Sequence, residues 1–347
     1  MKDGFDPELF SRESIERAAR AFSCEVERRA FLHKAGKWTG GLLLAASLGS
    51  IASCARKSSS PATTKPAPGT VPAAPTAVPG QADLGIASGQ NPGELARRAV
   101  DAVGGMARFV KPGNMVVIKP NASFLDGISG ATSTHPEVVS QVIAMCREAG
   151  AGRVIVMDHC LPASPEACFR ANGIGEAVKR AGAEVIAFGP CEKDHGVDTE
   201  IPGGVAMKRA GIYPEVLQAD VVITVPKAKH HGSAGLSLGM KNFIGVTADM
   251  GNIHNFDLHQ SIADLNTLVR PTLSVIDASI ILLDRGPGGP GPTRAAGKVI
   301  ASPDVVAADG YACTLFGMKA SDVPHIVYGG RAGLGEIDFN KLKVAEV

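Results

Sequence analysis

ADVVITVPKAKHHGSAGLSLGMKN, residues 219–242, decides how the rest of the chain is read. Its VVITV run is apolar without alternation, as in a strand buried on both faces. Directly after it come Lys227, Lys229, His230 and His231, then Gly232, Gly235 and Gly239, then Lys241 and Asn242. A solvated basic loop is the plain explanation of such a charge run, but positive charge straight off a buried strand fits a ligand-binding rim better. The glycines let backbone approach a ligand closely, and one desolvated lysine there becomes a nucleophile. His230 and His231 point opposite ways in extended backbone, so at most one of them faces the site.

Outward from this stretch the chain alternates. NMVVIKPN (114–121), RVIVMD (153–158), AEVIAFG (183–189) and LSVIDA (273–278) read as strands. HPEVVSQVIAMCREAG (135–150), PEACFRANGIGEAVKRAG (165–182), SIADLNTLVR (261–270) and SPDVVAADGYACTLFG (302–317) carry helical spacing. Ser302 is expected to cap the last of these, with Pro303 in its first turn. The alternation predicts an α/β fold over residues 83–347, a mainly parallel sheet with helices on both faces in Rossmann-like layers. Ligands of such sheets bind beyond the carboxyl ends of the strands. The strand-end residues are Lys119, Asn121, Asp158, His159, Lys227 to His231 and Asp277, and they should gather at one rim. GPGGPGP (286–292) lacks the lysine and hydroxyl of a phosphate-binding loop, and its prolines remove donors. It is an irregular connection or a flap over the site.

Composition narrows the function. With 35 basic and 34 acidic residues and only 5% aromatics, nothing argues for a nucleic-acid partner or a base-stacking platform. Seven cysteines occur without a C-x-x-C pair, so no iron–sulfur or zinc-ribbon motif is present. Cys160 and Cys168 are either a bridge in an oxidising compartment or small buried thiols.

Residues 27–54, ERRAFLHKAGKWTGGLLLAASLGSIASC, resemble a twin-arginine export signal in Arg28-Arg29-x-Phe31-Leu32, and Ile51-Ala52-Ser53-Cys54 resembles a lipobox. The resemblance implies a signal peptide over residues 1–53, passage through the twin-arginine machinery, and a lipid anchor on Cys54. The alternative is a plain signal cut near Ala52. Residues 54–82 are a Pro/Ala/Ser/Thr-rich tether, as a lipid-anchored domain needs. The expected location is periplasmic, on the outer membrane of a Gram-negative host, since Ala55 replaces the aspartate of inner-membrane retention.

IKPN, ATSTHPEVV, ADVVITVPKAKHH, LSLGMKNFIG, IADLN and SPDVVAAD occur in this order and together resemble the family named domain of unknown function 362, from about residue 85 to the end. Some members append a ferredoxin-like cluster domain, whose cysteines this chain lacks. His231-x3-Gly235-x-Ser237-x-Gly239-x-Lys241 is similar to a segment of nickel-pincer lactate racemases. That resemblance implies Lys241 as the anchor of a lysine-linked cofactor, with His231 and His159 in proton or hydride chemistry; Cys160 stands where those enzymes carry arginine. Lys119, Asn121, Lys227, Lys229 and Asn242 are the expected anion contacts. His254-x-x-Asp257-x-His259 holds donor types suited to nickel, zinc or iron, or to helix capping and surface hydrogen bonds. The leading expectation is an exported enzyme, racemase/isomerase- or oxidoreductase-like, acting on a small anionic substrate of hydroxy-acid type with a metal or cofactor. The alternatives are a non-catalytic anion- or metal-binding lipoprotein, or an accessory partner of a membrane redox complex.

Overall fold

Val116 and Ile118 belong to one hydrophobic cluster and Val117 to another; Val154 and Val156 divide from Ile155 in the same way. Successive residues of a strand face opposite ways, so the two clusters are the two faces of one sheet. This is why the strand sequences are continuously apolar.

The computed structural model describes residues 81–161, 164–189, 193–253 and 256–347, which fall in one unit, Thr70–Val347. Arg28, Arg29, the lipobox with Cys54, nearly all of the tether, Cys191 and His254 lie outside the described residues. The strands are β1 (Leu84–Ser88), β2 (Met115–Pro120), β3 (Arg153–His159), β4 (Glu184–Phe188), β5 (Val197–Glu200), β6 (Arg209–Ile212), β7 (Val221–Val225), β8 (Lys227–His231), β9 (Gly235–Ser237), β10 (Leu273–Leu282), β11 (Thr293–Ser302) and β12 (Val344–Glu346). The α-helices are α1 (Pro92–Ala102), α2 (Pro136–Glu148), α3 (Pro165–Ala171), α4 (Ile174–Arg180), α5 (Pro214–Gln218), α6 (Gly239–Asn242), α7 (Met250–Ile253), α8 (Leu258–Leu268), α9 (Val305–Thr314) and α10 (Pro324–Arg331).

The main sheet runs β12-β1-β11-β10-β7-β2-β3-β4, with β8 pairing β10 and β9 pairing β8. Its pairings are parallel except at β1–β11, β10–β11 and β8–β9, so the sheet is mainly parallel as expected. β5 and β6 form a separate antiparallel pair. One face packs against α1 to α4, the other against α5, α6 and α8 to α10.

Two local expectations change. The stretch 165–182 divides at Gly173, whose φ of 77° ends one helix and starts the next. Ser302 does not cap a helix: it ends β11, and Asp304 is the N-cap of α9, its Oδ1 accepting from the Ala307 amide at 2.9 Å. Ser302 supports that cap, its Oγ accepting from the Asp304 amide at 3.0 Å. Lys227–His231 forms a strand beside β10.

Candidate functional site

β2, β3 and β7 lie side by side in parallel, so their carboxyl ends open onto the same edge, where the predicted rim assembles. Lys119, next to last in β2, is fully buried, its Nζ 2.7 Å from Asp158 Oδ1 on β3. Asp158 is satisfied on every side. Its Oδ2 accepts from the Ala122 amide at 2.6 Å and from Ser123 Oγ at 2.9 Å, and its Oδ1 accepts from the His159 amide at 2.8 Å. Burial pushes the Lys119 ammonium below its usual pKa while Asp158 pulls it back up.

The close fit demands a glycine opposite. A Cβ on Gly245 would stand 2.5 Å from Asp158 Oδ1 and 2.5 Å from Lys119 Cε. Gly245→Ala is therefore expected to cost about 1–3 kcal/mol by overpacking a rigid ion pair. Urea unfolding would show it, and an unchanged midpoint would mean that the pair yields easily.

Asn242 joins the strand ends. Its Oδ1 accepts from Lys119 Nζ at 2.9 Å and from Asn121 Nδ2 at 2.8 Å, and its Nδ2 donates to the Lys119 carbonyl at 2.6 Å. Asn121 Oδ1 in turn accepts from the Lys227 amide at 2.8 Å. Lys227 pairs with buried Asp277 at 2.7 Å. Burial pushes the Asp277 carboxyl up, but Lys227, Ser279 and the His135 amide outweigh it and hold the group below the usual range.

Two lysines remain without a carboxylate. Lys229 donates to the Thr132 carbonyl and, at 3.1 Å, to the Pro287 carbonyl, with its Nζ 4.5 Å above the Phe124 ring. GPGGPGP thus lies over β8. A Cβ on Gly286 would fall 1.7 Å from the His230 carbonyl oxygen, so this close approach requires glycine there. Burial, reinforced by Lys241, Lys119 and Lys227 against the pull of Asp158, pushes Lys229 down to about 7. Lys241 sits in the short α6, 8% exposed, pushed down to about 8 by burial and by Lys119. Asp309 of α9 fixes that helix, its carboxylate accepting from the Gly239 amide at 2.7 Å and the Met240 amide at 2.9 Å. Burial raises the Asp309 carboxyl to about 7 against those two donors. Asp309 closes the SPDVVAAD motif, the signal through which it was legible.

The histidines divide. His231 is buried, its Nδ1 accepting from the Ser233 and Ala234 amides at 3.3 Å, whereas His230 turns outward and accepts from the Gly286 amide. His159 ends β3 with Nδ1 2.9 Å from the Tyr213 hydroxyl, and Tyr213 stacks on Phe188. Asp257 is the N-cap of α8, accepting from the Gln260 amide at 3.1 Å. His259 instead meets His325 of α10, Nδ1 to Nδ1 at 3.1 Å. Among the described residues no group of three His, Cys, Asp or Glu is placed to hold a metal ion. Cys160 and Cys168 are buried free thiols. His325 was not anticipated: a lone histidine after Pro324 carries no sequence signal.

Several known proteins resemble this chain. The thylakoid-associated protein sll1697 of Synechocystis sp. is 26% identical over 247 residues, covering 69% of this chain and 74% of that protein. Among solved structures, the lactate racemase apoprotein of Thermoanaerobacterium thermosaccharolyticum matches with a TM-score of 0.45 at 11% identity, over 72% of this chain and 62% of that one. A Thermotoga maritima protein matches with a TM-score of 0.40 at 11% identity, over 66% and 60%. The chain thus spans about three-fifths of each of these solved chains. Residues 116–314, more than half of the sequence and the segment that carries Lys119, Asp158, Lys227, Lys241 and Asp309, match the domain of unknown function DUF362, and the chain belongs to that family.

Proposed function

We propose that this chain is an enzyme acting on a small anionic substrate of the hydroxy-acid class at the carboxyl-end rim, with Lys241 as its reactive amine. One observation carries the reading. Alone of the four rim lysines, Lys241 has neither a carboxylate nor a hydrogen-bond partner for its Nζ among the described residues, and it is 8% exposed. A buried amine with a pKa near 8 is available both as nucleophile and as proton acceptor. Two carboxylates, Asp158 and Asp277, serve four rim lysines, so the surplus charge is positive and favours an anion.

Lys241 also fits the attachment point of a lysine-linked cofactor, because its Nζ is unengaged and gives up its proton easily. When bound, such a group supplies the hydride or electron-sink chemistry that side chains lack. His231 would hold or move a proton there. A divalent nickel, zinc or iron ion held by protein ligands alone finds no set of three donors among the described residues.

The test uses the full chain purified from its native host. Thermal unfolding is followed with glycolate, D- and L-lactate, pyruvate, oxalate and phosphate. At least one should raise the melting temperature by linkage, and Lys241→Met should abolish the rise. Exchange of the Cα proton of a bound hydroxy acid for deuterium in D2O marks an enzyme, and binding without exchange would establish the non-catalytic alternative. No shift with any of these anions overturns the reading. Export and lipidation are tested separately. Replacing Arg28 and Arg29 by lysine should hold the chain in the cytoplasm, and Cys54→Ser should yield an unlipidated precursor.

A further inference from the structure

We propose that His325 is a ligand-contacting residue of this rim, presenting a neutral Nε2–H to an oxygen of a small carboxylate bound beside Lys241, with His259 as the positioning residue that fixes its tautomer. The proposal rests on the reading of Lys241 given above.

Helix packing brings the groups together. His325 and Gly329 are one turn apart on α10 and share a face. A Cβ on Gly329 would fall 2.6 Å from Met240 Cε, so that face lies directly on the residue preceding Lys241. From the other side α8, which carries His259, reaches the same place: Asn266 Nδ2 donates to the Met240 carbonyl at 2.9 Å. His259 and His325 stack with centroids 5.4 Å apart and planes within 14°.

His325 is fully buried, and its Nε2 has no hydrogen-bond partner among the described residues. Leaving such an atom unsatisfied costs about 1–3 kcal/mol, which a ligand contact would recover. The facing Nδ1 atoms dictate the proton count: at 3.1 Å one of them must donate and the other accept. Both rings are neutral, since burial lowers each, and His259, Lys241 and His231 add to the push that brings His325 to about 3. Of these neighbours Lys241 is the cation, and His259 is a donor when its Nδ1 holds the shared proton. An occupant between them carries negative charge and accepts hydrogen bonds, so His325 donates from Nε2 while its Nδ1 accepts from His259 Nδ1–H. A neutral imidazole can polarise a carbonyl or hold an oxyanion without adding a full charge to a site already rich in lysine.

The experiment has a ligand-free arm and a ligand arm. Two-bond 1H–15N spectra of 15N-histidine-labelled full chain should show His325 neutral with its proton on Nε2 from about pH 5.5 to about pH 8. In His259→Phe the tautomers should mix. A proton resident on His325 Nδ1 overturns the proposal. In the ligand arm, whichever of lactate, glycolate, pyruvate, oxalate or phosphate binds the wild type should bind His325→Phe roughly tenfold more weakly, while His325→Gln, which keeps an N–H donor, retains most of the affinity. Equal binding by wild type and His325→Phe, with Lys241→Met inactive, removes His325 and leaves the Lys241 reading standing. If no anion binds the wild type, both fall together.

Discussion

Lys119→Met is expected to lose about 3–5 kcal/mol of folding stability, because it leaves Asp158 as a buried charge with its cationic partner gone. Three other donors reach Asp158, from the Ala122 amide, Ser123 Oγ and the His159 amide, and they hold the carboxylate in place without neutralising it. The loss spreads further, since Lys119 Nζ also donates to Asn242 Oδ1 and Asn242 spans β2, Asn121 and Thr224. Asp158→Asn should cost a comparable amount from the other side. The double variant should lose less than the sum of the two, the signature of direct coupling. Urea unfolding of all three decides the matter. Strictly additive losses would show that the pair contributes nothing as a pair.

The outcome separates two roles that sequence alone could not. Lys119, Lys227 and Lys229 look alike in the sequence, each near the end of an apolar strand or just after one, whereas Lys241 follows a glycine-spaced segment. What tells them apart is the partner across the sheet. Asp158 comes from β3 and Asp277 from β10, tens of residues away in the chain, and both turn a rim lysine into structure. Strand identity and the rim itself were legible because strands buried on both faces leave continuous apolar runs. The location of the carboxyl edge follows from a parallel sheet. β11 was not legible: TRAAGKVIAS, with its outer half exposed, has neither an apolar run nor clean alternation. His325 was equally silent, since its meaning comes from α8 and α10 packing on Met240. The proposed ligand set of His254, Asp257 and His259 rested on spacing. Asp257 caps α8, His259 turns to His325, and His254 lies outside the described residues.

Stability should rise by about 1 kcal/mol as the pH increases from about 7 to about 8.5, against the usual flat profile of a neutral-pH protein. Lys229 is responsible for most of it. Its folded pKa is about 7 and its unfolded value about 10.4, so in this window the unfolded chain holds a proton that the folded chain releases. The unfolded state then binds more protons, and stability increases with pH at up to about 1.4 kcal/mol per unit. Lys241, with a folded pKa of about 8, adds a smaller contribution of the same sign. Other groups bound the window. Below it Asp309, raised to about 7, makes stability fall as pH rises, while His325, lowered to about 3, makes it rise, so the two oppose each other. Cys146 and Cys313, both pushed up to about 12, and Cys160, raised as well, oppose the lysines from about pH 8, where thiols of the unfolded chain begin to ionise. In between, the two lysine contributions outweigh this opposition. Urea midpoints taken across this range should therefore climb in the wild type. Lys229→Met should lose most of the climb, because the largest lysine contribution in this window is gone. A flat wild-type profile would mean that Lys229 stays protonated in its carbonyl cage of Thr132 and Pro287, and a full slope in Lys229→Met would assign the effect to another group.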